Sequence, residues 1–68
     1  MPEKELAPHQ QRVIDEYAEL IVKVDALGKF IGGETYNKLY GDEQVRLEKQ
    51  HRIMSEYSAI LWERIENF

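Results

Sequence analysis

Val13, Tyr17, Leu20, Val24, Leu27 and Ile31 follow one another at intervals of four, three, four, three and four residues. That spacing keeps side chains on one face of an α-helix, and Ile14 and Ile21 widen the apolar seam on one flank. A strand would need alternation at every second position, which Val13-Ile14 followed by Asp15-Glu16 breaks at once. The pattern predicts one long helix over residues 9–31. Pro8 suits its first turn, where a missing N–H costs nothing. Gly32-Gly33 stops it, because glycine readily takes the left-handed cap conformation. Gly28 falls inside the helix at a cost of about 1 kcal/mol against alanine. A glycine kept at that cost marks close backbone approach, by another helix or by a ligand.

Leu47, Met54, Leu61 and Phe68 then recur every seven residues, with Ile53 and Ile60 beside them and Tyr57 in the complementary slot. This predicts a second long helix over residues 43–67, with Asp42 as its N-cap and Glu43 near the positive helix end. Between the two, GGETYNKLYG lies between glycine punctuation marks, and Thr35 is placed to cap one short connecting helix. Residues 1–7 are polar, short and uncapped, and read as a loose tail. The predicted architecture is a single all-α domain over residues 1–68. It is a helical hairpin of two long antiparallel helices joined by a short one, too thin to bury both apolar stripes alone.

Size sharpens that conclusion. In a chain of 68 residues one core supplies only a few kcal/mol without some staple. The absence of cysteine excludes disulfides, and two isolated histidines, His9 and His51, argue against structural zinc. Self-association is the staple left over, and a hydrophobic content of 43% gives it surface to use. The predicted protein is a homo-oligomer.

The net charge of −4, from 13 acidic and 9 basic residues, argues against broad coating of DNA or RNA, which wants a basic domain. It leaves room for a compact anion pocket lined by a few cations. No apolar run approaches the roughly 20 residues that span a bilayer. MPEKELAPHQ lacks the apolar core of a secretory signal, and the lack of cysteine sits easily with a reducing cytosol.

No serine–histidine–acid set, cysteine nucleophile, phosphate-cradling glycine loop or HExxH motif is present, so neither an enzyme nor a cofactor is expected. Asp15, Glu16 and Glu19 read as a solvated helix face. Lys23 has Glu19 four residues before it, the favourable order for a surface ion pair, yet it adjoins Leu20 and Val24 at the edge of the seam. A neighbouring subunit could enclose it there and leave an ammonium facing a phosphate. Arg12 faces Glu16 and reads as solvated, near the helix start. His9 lies in the first helical turn, where free N–H groups and the dipole favour an anion. Arg64 has Ile60 and Leu61 one turn before it and Phe68 one turn after. It is either a register-setting polar residue in an oligomer interface or a ligand contact. Trp62, off the main stripe, reads as part of an association surface. Tyr36 and Tyr40, in the connector, could stack on bases, but short-helix tyrosines more often cover the end of a hairpin.

The segments HQQRVIDEYAEL…KVDALGKFI and RLEKQHRIMSEYSAILWERI resemble a family of small phage proteins, the anti-CBASS cyclic-oligonucleotide sponges of the second-described class. The resemblance runs from His9 to Phe68. It implies a mostly helical homohexamer in the cytoplasm of the infected bacterial host. Such a protein binds cyclic dinucleotides, and in some members cyclic trinucleotides, without cleaving them, and so starves a defence effector of its signal. By this resemblance Lys23, together with Pro8 and His9 at the helix start, serves the dinucleotide, and Arg64 serves the trinucleotide. Pro8-His9 stand where family members can carry a base-stacking aromatic.

Two other readings compete. One is a helical-hairpin interaction module that docks onto a protein partner and binds no nucleotide. The other is a DNA-binding helix pair, which needs a basic recognition helix; Glu48, Glu56, Glu63 and Glu66 spread along the second helix instead.

Overall fold

The computed structural model describes residues 5–68. It contains α1 (Pro8–Phe30), α2 (Glu34–Asn37) and α3 (Gly41–Glu66), with no strand among the described residues, so the chain is all-α. Of the expected loose tail, residues 1–4 lie outside the described residues, and residues 5–7 precede α1 without helical structure.

α1 begins one residue earlier than its pattern predicts and ends one residue earlier. Ala7 is its extended N-cap and offers no side-chain acceptor. Gln10 reaches back instead, its Oε1 accepting the Ala7 N–H at 2.8 Å. That is half of a capping box, and it satisfies a donor that Ala7 cannot. The helix stops as expected: Gly32 takes φ 89°, which a side chain would resist.

Two expected caps are displaced. Thr35 does not cap α2; Gly33 does, because the left-handed Gly32 has already turned the chain and helical dihedrals begin at Glu34. Asp42 does not cap α3 either. Tyr40 is the N-cap, and its backbone carbonyl accepts from the N–H groups of Glu43 and Gln44, each at 3.0 Å. Asp42 and Glu43 fall inside the first turn, where they favour the helix dipole and lie 3.8 and 2.9 Å from Arg46.

The connector is fastened to α3 by Tyr36. Its ring is buried, its hydroxyl donates to Glu48, and its carbonyl accepts from Gln44 Nε2 at 2.8 Å. Val13 and Leu20 of α1 meet Leu61 of α3 in the main core, and Leu61 keeps only 1% of its surface exposed. Tyr17, Val24, Met54, Ile65 and Phe68 pack around them.

Two contacts fix how α1 and α3 lie against each other. Gly28 meets His51, and the rings of Tyr17 and Trp62 stand 5.4 Å apart. Residue numbers fall on one helix as they rise on the other. The intervals agree as well, since 28 minus 17 and 62 minus 51 are both 11. The described chain measures 54 × 17 × 16 Å, the dimensions of one layer of helices with no third wall. Val22, Val45, Ile53, Tyr57, Ile60 and Trp62 are accordingly exposed.

Candidate anion-binding site

Each residue turns an α-helix by about 100°, so the two contacts also decide which flanks share a face. Gly28 and Tyr17 lean from the α1 seam toward the flank of Ile14 and Ile21, and they meet His51 and Trp62 on one flank of α3. The opposite flanks therefore share the other face. On α1 that flank carries Arg12 and Lys23; on α3 it carries Ile53, Tyr57, Ile60 and Arg64, spaced four, three and four residues apart. Their burial agrees with this placement, because all six are exposed.

The shared register orders the cations along this face. Lys23 is level with residue 56, beside Tyr57. Arg64 lies about 12 Å further on, at 1.5 Å per residue, and Arg12 is within about one helical turn of it. Lys23 also borders an open, mainly apolar depression lined by Ala18, Glu19 and Val22.

The expected Glu19–Lys23 and Glu16–Arg12 pairs are not formed. Among the described residues the ion pairs are Lys29 with Asp25, at 3.0 Å, and Arg46 with Asp42 and Glu43. An exposed pair four residues apart gains only a few tenths of a kcal/mol, so such pairs form at some positions and not at others. Lys23, Arg12 and Arg64 thus keep their charge unpaired among the described residues. Arg64 occupies the last turn of α3, where the dipole favours a cation.

His9 and Pro8 stand exposed at the start of α1. The 14 residues from His9 to Lys23 correspond to about 21 Å of helix. One chain therefore cannot present both to the same phosphate. Trp62, expected off the main stripe, stacks at a tilt of 36° on Tyr17, on the face away from Lys23. The spacing of Ile53, Tyr57, Ile60 and Arg64 is visible in the sequence, but only the interhelical register shows that they share a face with Lys23.

A family model, Sequestin, matches residues 7–67. The chain belongs to the sequestin family. It is also 35% identical, over 60 residues, to an uncharacterized 7.5 kDa protein in the denB-rIIB intergenic region of Enterobacteria phage T4. That alignment covers 88% of this chain and 94% of the phage protein. The family inferred from the sequence is thereby borne out. No solved structure matches. Membership implies a sequestering, binding role rather than a catalytic one. No helix among the described residues is long and apolar enough to cross a membrane.

Proposed function

We propose that this sequestin binds cyclic oligonucleotide second messengers in the cytoplasm of an infected bacterium and withholds them, uncleaved, from a CBASS effector. Cyclic dinucleotides are the principal ligands and cyclic trinucleotides a second class. Lys23 and Arg64 are the main phosphate contacts, with Arg12 and His9 as weaker ones and Pro8 at the same helix start. The observation that carries this reading is the set of cations on one face, unpaired among the described residues, of a family member whose overall charge is negative. A cyclic dinucleotide brings two phosphates and two flat bases, and needs a few cations, some apolar surface and no reacting group.

The binding unit is a homo-oligomer, a hexamer in this reading, built from one helical hairpin per chain. Only four side chains, Val13, Leu20, Tyr36 and Leu61, form the buried hydrophobic set among the described residues. A core of that size calls for covering by further copies. Copies would also solve the separation of His9 from Lys23, since one chain's helix start can approach another chain's lysine. Negative charge elsewhere would keep RNA and DNA out.

Calorimetry with a panel of cyclic di- and trinucleotides, run beside a mass determination in solution, tests the proposal. Binding by a multimer is the expected result. No heat with any nucleotide would favour a protein-docking module instead, and a monomer at micromolar concentration would remove the shared pocket.

A further inference from the structure

We infer that Tyr57 is the platform on which a base of the ligand stacks while Lys23 holds an adjacent phosphate, an inference that rests on the nucleotide reading above. A cation alone holds a phosphate but gives a base nothing to lie on, and aromatic rings supply that surface for any base. The structure narrows the choice of ring. Tyr17 and Trp62 are paired on the other face, Tyr36 is buried and hydrogen-bonded to Glu48, and Phe68 packs on the core. Tyr40 lies at the connector, before α3 begins. Phe30 is on the flank of Lys23 but seven residues along, about 10 Å away. Tyr57 is level with Lys23, 41% exposed, and bordered by Ile53 and Ile60, which are more exposed still. Arg64 stands two turns beyond it on the same flank. A flat ring on Tyr57 would lie beside the Lys23 ammonium, over an aliphatic border.

Tyr57→Leu, Tyr57→Phe and Phe30→Leu, titrated with cyclic di-adenylate and weighed in solution, test this. Tyr57→Leu keeps the apolar volume and removes the ring, and should weaken binding about tenfold at unchanged mass. Tyr57→Phe and Phe30→Leu should bind within twofold of the parent. Adenine protons of the bound ligand should shift upfield with the parent and Tyr57→Phe, and not with Tyr57→Leu. The inference is overturned if Tyr57→Leu binds like the parent, if Tyr57→Phe loses as much as Tyr57→Leu, or if the loss follows dissociation of the assembly. A parent protein that binds no cyclic nucleotide would sink the functional reading itself, and this inference with it.

Discussion

Nε2 of His51 lies 3.1 Å from the point where a β-carbon on Gly28 would stand. The close neighbour of the glycine inside α1 is thus a side chain of α3. Alanine there gains up to about 1 kcal/mol of helix propensity, and the crowded atom is the far end of an imidazole that can shift by a few tenths of an ångström. Gly28→Ala should therefore stabilise the protein slightly, and more in a His51→Ala background. Denaturant unfolding of the four variants measures the coupling. Equal gains in both backgrounds would mean that the contact does not constrain position 28.

Tyr36 should give the chain an alkaline limit. Its hydrogen bond to Glu48, then burial, then the nearby carboxylate charge raise the phenol above the ordinary value of 10.0. The raised group favours its neutral form when folded. Its stabilising contribution is complete below pH 10 and is lost as pH climbs through the raised value. Absorbance titration of the four tyrosines should show one ionising late. In Tyr36→Phe that late step should vanish, and stability should fall less steeply above pH 10 than in the parent. A late step that survives the substitution would assign it to another tyrosine.

Lys23 and Arg64 lie about 12 Å apart along one face, so their substitutions should separate two ligands. Lys23→Ala should weaken dinucleotide binding at least tenfold and leave trinucleotide binding within twofold, as expected for one lost charged hydrogen bond. Arg64→Lys keeps the charge but loses the planar fork, and should do the reverse. Calorimetry on both variants with both ligands decides. Dinucleotide affinity within twofold in Lys23→Ala would remove Lys23 from the site, and equal losses for both ligands would mean a single shared site.

The long helices were legible because seam residues such as Val13, Leu20 and Leu61 recur at helical spacing, and that spacing reflects the burial that holds them. The caps were not. Asp42 and Thr35 have the right chemistry for capping, yet backbone dihedrals set at Gly32 and Tyr40 start both helices elsewhere. Lys23 and Arg64 could be picked out by their place at the seam margins. Their common face could not, because it depends on the rotation of α1 against α3. That rotation is set by Gly28 against His51 and Tyr17 against Trp62, two contacts between residues far apart in the chain.

Trp62 offers a reporter for the division between the two faces. It is the single tryptophan, 47% exposed, and it lies with Tyr17 on the face away from Lys23. If copies cover that face, dilution should expose the indole and move its emission to longer wavelength as the mass falls. Cyclic nucleotide added at a concentration where the mass is constant should leave the emission in place, because the cations lie on the opposite flank. Half of the indole is free to serve that association, so Trp62→Leu should move the association midpoint to higher protein concentration. Strong quenching by ligand at constant mass would put the nucleotide against Tyr17 and Trp62, and the assignment of faces would have to be exchanged.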